Sequence, residues 1–198
     1  MGKRNEKDTV PDIPTAEMLE ELIKQNKYRQ NFRSVFRSTV FTLITVSAIA
    51  ILVATLWLPV LQIYGTSMQP TLMDGNIVLS VKTSDLKAGD IVAFYYNNNI
   101  LVKRMIAKAG EWVEVDSDGT VYINDEELKE PYIMELAYGE CNIEMPYQVP
   151  ESRIFVMGDN RATSVDSRNT AVGCVAEEQI VGKLVFRVWP LKLFGPIE

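Results

Sequence analysis

The sequence predicts a mostly β protein in which an N-terminal cytosolic segment and a single transmembrane helix precede an antiparallel β domain. A stretch without any charged residue runs from residue 38 to residue 73. Beyond it, short runs of β-branched and aromatic residues alternate with turn residues, which is typical of β structure. The length of 198 residues accommodates one folded domain and an anchor, but not two full domains and a membrane segment.

Residues 1–38 are predicted to form a cytosolic tail with a basic amphipathic helix. The first 14 residues are polar and contain Pro11 and Pro14, which is typical of a disordered tail. Thr15 can cap a helix, and apolar residues then recur at helical spacing (Met18, Leu19, Leu22 and Ile23). We expect this helix to continue toward the membrane with its basic face near anionic lipid headgroups. A helix that binds a partner protein is the alternative.

Residues 39–61 are predicted to cross the lipid bilayer. Residues 40–61 are almost wholly apolar, and a bilayer crossing needs about 20 such residues. Basic residues without any acidic residue among them lie just before this stretch (Lys24, Lys27, Arg29, Arg33 and Arg37). Such clusters stay in the cytoplasm, so residues 62–198 are expected on the outer side of a single-pass cell-membrane protein. A cleaved secretory signal is the alternative, although its apolar region normally starts earlier and is shorter.

Charge and cysteine content exclude several function classes. The formal net charge is −6, with +2 in residues 1–38 and −8 in the remainder, so nucleic acid is not expected as a partner. The chain has no histidine, and Cys141 and Cys174 lack Cys-x-x-Cys spacing, so we expect no metal and no cofactor. A disulfide between the two cysteines is permitted outside the cytoplasm, but spacing alone does not show that they meet.

Seven segments beyond Tyr64 are predicted to be strands of a mostly antiparallel structure. They are residues 77–81, 91–95, 101–107, 112–115, 121–123, 154–157 and 180–189. Asp118 and Gly119 lie between the fourth and fifth of them, and this pair predicts a hairpin turn.

The absence of histidine restricts the chemistry that a nucleophile can use. A Ser-His-Asp triad and a Cys-His pair are both excluded, so Ser67, which follows the apolar stretch, requires another base. Lys103 lies in an apolar predicted strand, and burial there would lower its pKa from about 10.4 toward neutrality. Strand alternation places Leu101, Lys103 and Met105 on one face, so Lys103 can point into a site while Arg104 points away.

Simpler interpretations exist for each of these features. Ser67 alone is typical of a turn, and an isolated strand lysine is typical of an edge residue with its amine in water. Residues 157–168 are dense in hydroxyls and opposite charges, and their simplest interpretation is a solvated loop with an Asp166–Arg168 ion pair. The combination of all three segments favours a membrane-anchored Ser/Lys hydrolase.

These segments, in this order, resemble the type I signal peptidases, a family of membrane-bound Ser/Lys proteases of which the chain matches the short Gram-positive type. The resemblance covers the anchor and nearly all of the outer domain. It rests on the serine box (residues 65–72), the Gly-Asp-Ile-Val sequence at 89–92, the lysine box (102–111), residues 158–168, and the closing segments at 180–183 and 189–190.

The resemblance implies a role for each matching residue. Ser67 corresponds to the nucleophile, and Lys103 to the general base that takes its proton and later activates the deacylating water. Ser164 corresponds to the serine that hydrogen-bonds and orients the lysine amine. Asp166 and Arg168 correspond to a pair that braces this region without taking part in proton transfer. The backbone N–H of Ser67 would donate to the oxyanion.

Two departures from the family pattern concern neighbouring positions. Gly65 lies where many relatives have a hydroxyl residue that assists the oxyanion hole, so a side-chain donor is in doubt there. Ala107 and Ala109 replace the glycine and proline common in the lysine box, which puts the turn after that strand in doubt. The lack of histidine also distinguishes this chain from the endoplasmic reticulum branch, which has histidine at the base position.

The implied substrates are exported precursor proteins, whose signal peptides end in small residues, typically Ala-X-Ala. An extended peptide would add beside a strand edge, with alternate side chains in shallow apolar pockets. Met68 and Leu101 flank the two predicted catalytic residues, so they are candidate walls of these pockets. The sequence contains no indication of the oligomeric state.

Two other functions are compatible with parts of the pattern. A self-processing Ser/Lys protease shares the catalytic logic, but the transmembrane anchor and the lack of a DNA-binding head argue against it. A membrane-anchored, non-catalytic β binding domain would share the fold, but such a relative is expected to lose Ser67 or Lys103, and both are present.

Overall fold

The N-terminal part of the protein is one long helix. The computed structural model describes residues 15–197, so the predicted tail at residues 1–14 lies outside the described residues. Helix α1 (Ala16–Trp57) is 42 residues long, which confirms helix both before and within the predicted span. It is long and apolar enough to cross a bilayer, and its apolar side chains, such as Phe41, Ile44 and Ile49, are exposed.

The end of α1 differs from the predicted boundary. The span was predicted to continue to residue 61, but the helix ends at Trp57, and Val60–Gln62 forms strand β1. Pro59 explains this, because a proline disfavours the helical conformation of the residue before it, here Leu58. The β domain therefore includes residues 60 and 61, which the sequence pattern had assigned to the membrane.

The remainder of the chain forms two antiparallel sheets. Besides β1, the larger sheet contains β2 (Ile77–Val81), β3 (Ile91–Tyr96), β4 (Asn99–Ala107), β9 (Arg153–Met157), β10 (Val175–Ala176), β11 (Ile180–Trp189) and β12 (Gly195–Pro196). Its strands lie in the order β1-β2-β11-β3-β4-β9-β10, with β12 paired to β11. The smaller sheet contains β7 (Glu126–Glu127), β6 (Val121–Ile123), β5 (Trp112–Val115) and β8 (Tyr147–Gln148), in that order. Glu177–Gln179 and Leu191–Leu193 are 3₁₀ turns.

All seven predicted strands are confirmed, along with the hairpin turn at Asp118 and Gly119 between β5 and β6. Strands β2, β5, β6 and β11 have the predicted bounds, whereas β3, β4 and β9 are one or two residues longer. The strands that the sequence did not predict have two or three residues each. Runs this short carry no detectable alternation, because a period of two needs about four residues to be recognised. Strand β6 is as short, but the turn signal at Asp118 and Gly119 marks its start.

The core explains why β3 is apolar at every position from Ile91 to Phe94. Ile91 and Ala93 pack in a cluster with Leu72 and Leu184, whereas Val92 and Phe94 pack in a second cluster on the opposite face. A third cluster, which includes Val113, Val121 and Phe155, joins the smaller sheet to the ends of β4 and β9. Both faces of the central strands are therefore buried, and this holds β4 rigidly in place.

The two cysteines are not joined in this structure. Cys141 is partly buried and Cys174 is buried, and both are free thiols. Burial raises the pKa of the Cys174 thiol to about 11, so this sulfur is protonated and unreactive at neutral pH. The disulfide that a location outside the cytoplasm would permit is absent between these two residues.

Candidate active site

The side chains of Ser67 and Lys103 meet beside strand β4 of the larger sheet. Lys103 lies on β4 opposite Val92 of β3, and its side chain is buried, with 4% of the residue exposed. Its Nζ is 2.7 Å from Ser67 Oγ. A hydroxyl and an amine at this distance can exchange a proton directly, so the contact that the sequence predicted is present.

The loop that carries Ser67 is anchored on both sides. Ile63 N donates to Asn76 O and Gly75 N donates to Ile63 O, which closes the loop between β1 and β2. Within it, Leu72 N donates to Met68 O, and the side chains of Met68 and Leu72 are buried in the core cluster under β3. Ser67 therefore stands on a short turn whose neighbours are fixed by packing.

Burial decides the protonation of Lys103. Desolvation lowers the pKa of the Lys103 amine to about 8, while the charge of Asp166 raises it, that of Arg168 lowers it and that of Asp159 raises it. Desolvation outweighs the charges, because the carboxylates are themselves paired with arginines. A substantial fraction of the amine is consequently neutral near pH 8, as a general base requires.

Asp166 and Arg168 form a completely buried ion pair, and both charges act on Lys103 of the Ser67–Lys103 pair, here called the dyad. Arg168 Nη2 is 2.9 Å from Asp166 Oδ2, and neither side chain has any exposed surface. Asp166 also accepts from the backbone N–H of Gly158, and Arg168 donates to the carbonyls of Tyr138 and Arg161. The simple interpretation of a solvated loop is therefore wrong, because this segment is packed into the protein and its polar groups are satisfied internally.

Ser164 lies beside the dyad but makes no hydrogen bond to it. An added Cβ on Gly158 would lie 2.3 Å from Ser164 Oγ and 2.5 Å from Ser67 O, so these residues are close neighbours. Ser164 is buried, and its Oγ has no hydrogen-bond partner among the described residues. The hydrogen bond to Lys103 that the resemblance implies is absent from this arrangement of the side chains.

Substituting Gly158 with alanine is expected to displace Ser67 without removing any side chain of the candidate site. The added methyl cannot fit without moving Ser164 or the backbone of Ser67, and a shift of about 1 Å at a reacting atom can cost about 100-fold in rate. The rate at which a serine-directed acylating agent labels Ser67 should fall by that order. Ala162→Ser, at an exposed position of the same segment, should label normally, whereas normal labelling of Gly158→Ala would contradict the crowding.

A second buried network, which sequence analysis did not predict, lies next to the dyad. Arg104 donates to both carboxylate oxygens of Asp159, at 2.9 and 2.8 Å, and to Gly89 O, while Thr71 Oγ1 also donates to Asp159. The Arg104 guanidinium lies 3.8 Å from the ring centre of Tyr132. Arg104 does point away from Lys103, as strand alternation predicted, and it fixes the segment after β9 to β4.

The segment between β7 and β8 completes this network. Glu130 pairs with Arg161, and neither side chain is appreciably exposed. Tyr132 Oη donates to Glu130, so one short segment contacts two of the buried arginines, Arg104 and Arg161. The sequence indicated that further partners were needed, since two arginines and two aspartates within residues 159–168 exceed what one ion pair uses, but it did not identify those partners.

Asn160 attaches the segment after β9 to the nucleophile loop. Its backbone N–H donates to Ser67 O at 3.0 Å, and its side-chain amide donates to Thr66 O. The carbonyls of two successive peptide units, Thr66–Ser67 and Ser67–Met68, thus both accept a hydrogen bond from Asn160. This leaves the Ser67 N–H oriented by its surroundings, which is useful for a group that would bind an oxyanion.

An apolar cleft of about 600 Å³ opens beside Ser67 and Lys103. Met68 and Leu101 both line it, together with residues 61–65 and 98–102, so the two predicted wall residues lie next to the dyad. Strand β1 is at the edge of the sheet, and β4 pairs with β9 only from Arg104 onward. The cleft is therefore bordered by two open strand edges, between which an extended peptide can form backbone hydrogen bonds.

The two departures from the family pattern have simple structural outcomes. Gly65 has a positive φ of 88°, and its N–H donates to Asp74, so this position supplies no side-chain donor. After β4, the turn between Lys108 and Glu111 is closed by a backbone hydrogen bond and by the Glu111 carboxylate. Ala107 is buried and Ala109 is accommodated in this turn without glycine or proline.

Within residues 15–197, no cluster of three or more metal-ligating side chains is found.

Comparison with known proteins gives consistent matches. Residues 36–189 match the sequence model of the family described as signal peptidase, peptidase S26. Signal peptidase I T of Bacillus subtilis (strain 168) is 40% identical over 139 residues, which cover 64% of this chain and 71% of that protein. Signal peptidase IB of Staphylococcus aureus is 38% identical over 152 residues, covering 67% of this chain and 78% of that protein.

Two further matches extend the range of relatives. Thylakoidal processing peptidase 1, chloroplastic, of Arabidopsis thaliana is 38% identical over 146 residues, so the match covers 65% of this chain but only 41% of that protein. Among solved structures, the crystal structure of a signal peptidase I from Enterococcus faecalis V583 aligns with a TM-score of 0.44 and 32% identity. That alignment covers 52% of this chain and 99% of the other.

Proposed function

Because this chain belongs to the signal peptidase family of serine endopeptidases, peptidase S26, we propose that Ser67 and Lys103 are its catalytic dyad in the removal of signal peptides from exported precursors. The resemblance noted in the sequence is confirmed by the family match. The observation that carries the proposal is the 2.7 Å contact between Ser67 Oγ and a buried amine at the end of an apolar cleft.

In the proposed acylation step, neutral Lys103 takes the proton of Ser67 Oγ while that oxygen attacks the carbonyl carbon before the scissile bond. The N–H of Ser67 donates to the oxyanion that forms. The lysine ammonium then gives its proton to the departing amine, which is the new N-terminus of the mature protein. Neutral again, Lys103 activates the water that hydrolyses the acyl-enzyme.

Asp166, Arg168 and Ser164 are proposed to position these groups. The buried Asp166–Arg168 pair holds the segment that contacts the nucleophile loop. The unpartnered hydroxyl of Ser164 is close enough to Ser67 that, after a rotation about χ1, it could accept from or donate to the Lys103 amine.

The cleft is proposed to bind the end of the signal peptide. Its apolar lining suits small apolar side chains of an Ala-X-Ala sequence, with Met68 and Leu101 as parts of the walls. A helix that can cross the bilayer accords with a membrane enzyme whose substrates are themselves membrane-inserted. We further propose that the N-terminus is cytoplasmic and that the β domain lies outside, because basic residues precede the span.

Cleavage of a precursor tests the function directly. The detergent-solubilised full chain is incubated with a precursor whose signal ends in Ala-X-Ala, and the new N-terminus is determined by mass spectrometry. Cleavage after the second alanine supports the proposal. A folded protein that neither cleaves this precursor nor reacts with a serine-directed acylating agent would instead be a non-catalytic binding domain.

The pH dependence of cleavage is expected to report Lys103. The active form is the neutral amine, whose fraction grows as pH rises through its pKa of about 8. The value of kcat/KM should therefore rise with pH, to a plateau above pH 9, and should be about 100-fold below the plateau at pH 6. Initial rates at low substrate concentration between pH 6 and pH 9.5 measure this. A flat profile over that range would contradict a lysine base.

A further inference from the structure

We propose that a second pocket beside the Ser67 turn, separate from the apolar cleft, binds the first residues of the mature protein, and that Glu135 makes it favour basic over acidic side chains there. This inference rests on the proposed function. The pocket, here called the Gln69 pocket, has a volume of about 250 Å³ and is lined by Gln69, Met134, Glu135, Asp159, Asn160 and Arg161.

The Gln69 pocket adjoins the nucleophile through direct contacts. Gln69 is two residues after Ser67, and Asn160 donates to the backbone carbonyl of Ser67 at 3.0 Å. None of the residues that line the apolar cleft lines this pocket. The two depressions are therefore separate, and residues next to Ser67 line both of them, Met68 in the apolar cleft and Gln69 in this pocket.

A substrate must extend from Ser67 in both directions. The signal-peptide side consists of small apolar residues and fits the cleft lined by Leu61, Ile63 and Leu101. The chain after the scissile bond must then leave on the other side. An extended peptide advances about 3.3 Å per residue, so the first three mature residues span about 10 Å from the scissile bond, and we propose that the Gln69 pocket binds within that range.

The charge of the pocket is set by one residue. Asp159 is paired with Arg104 and Arg161 is paired with Glu130, so these buried charges are compensated. Glu135 is exposed, and within the described part of the chain it has no ion-pair partner. Met134 beside it is 81% exposed, so a passing peptide finds both an apolar surface and a free carboxylate.

The test compares substrates that differ in one mature residue. Precursor peptides share one Ala-X-Ala signal end and carry Lys, Gln or Glu at the first, second or third mature position. At one or more of these positions, the full-length protein should show a kcat/KM for Lys about two- to fivefold above that for Glu, as for an exposed charge pair. Glu135→Gln should remove this ratio and Glu135→Lys should invert it.

The matched control is Glu151→Gln, which removes an exposed charge from the turn before β9 and should leave the ratio unchanged. A ratio between two substrates on one enzyme is insensitive to a general loss of stability or activity. If no peptide is cleaved at all, the proposed function fails. If the peptides are cleaved but Glu135→Gln and Glu135→Lys retain the parental ratio at all three positions, the Gln69 pocket does not bind the mature side in this way.

Discussion

Replacing Ser67 with alanine, or Lys103 with methionine, will lower cleavage of an Ala-X-Ala precursor by about four orders of magnitude or more. Ser67→Ala removes the atom that would form the acyl bond. Lys103→Met keeps an unbranched apolar stem in the buried position, so the core remains filled while the proton acceptor is lost. Because the two groups act as one unit, the double variant should be no slower than either single variant.

Two control variants separate this result from a general disturbance. Thr66→Ala removes an exposed hydroxyl next to Ser67. It should retain most activity, since Thr66 accepts hydrogen bonds from Asn160 and Gln69 through its backbone carbonyl, which alanine keeps. Lys103→Arg keeps a cation but cannot supply a neutral base, so it should be as inactive as Lys103→Met. Activity in Lys103→Arg would mean that charge alone is needed, and retained activity in Ser67→Ala would remove the proposed nucleophile. The activity of each variant is measured as cleavage of the same Ala-X-Ala precursor by the detergent-solubilised chain.

Replacing Asp166 with asparagine will destabilise the β domain by about 3–5 kcal/mol, the cost of breaking a buried ion pair at one partner. Arg168 has no exposed surface, so its charge would remain in the interior without compensation. An amide has a single oxygen, so the variant loses either the hydrogen bonds from Gly158 N and Arg168 Nη2 to Oδ2 or those from Arg168 N and Nε to Oδ1. Thermal unfolding of the full chain in detergent, followed by near-UV circular dichroism, measures the change.

Asp85→Asn is the matched control, since its pair with Lys87 is 4.0 Å long and both side chains are more than 70% exposed. The free energy of unfolding of that variant should differ from that of the parent by less than about 0.5 kcal/mol.

A second measurement separates the electrostatic effect of Asp166 on Lys103 from its effect on stability. The charge of Asp166 raises the pKa of Lys103, so Asp166→Asn should move the rise in kcat/KM to lower pH. An unfolding midpoint equal to that of Asp85→Asn would show that the buried pair does not stabilise the fold.

The parts of this structure that the sequence predicted are those with a local signal. Strands such as Trp112–Val115 have a clear alternation of burial, and the Ser67–Lys103 contact followed from the exclusion of histidine and from the resemblance. The strand at Val60–Gln62 was missed because its residues continue an apolar run, and only Pro59 marks the change. An apolar residue in a lipid-facing helix and one in a strand have the same sequence signature.

The network around Arg104 could not be predicted for a different reason. Thr71, Arg104, Tyr132 and Asp159 belong to four distant segments, and no spacing relates them. Each also has an ordinary interpretation as a surface residue. Ser164 illustrates the converse, since the resemblance implied a hydrogen bond to Lys103 that this arrangement of side chains lacks.

The shortness of strand β1 has a consequence for self-association. An open strand edge is a template on which another copy of the chain can pair, and long exposed edges lead to aggregation. Strand β1 has only three residues, and the positive φ of Gly65 bends the chain soon after it. A second folded copy would gain few backbone hydrogen bonds here, whereas a short flexible segment can still be held. The edge of β1 can therefore pair with a short extended segment, but it is too short to pair stably with a sheet of another folded protein.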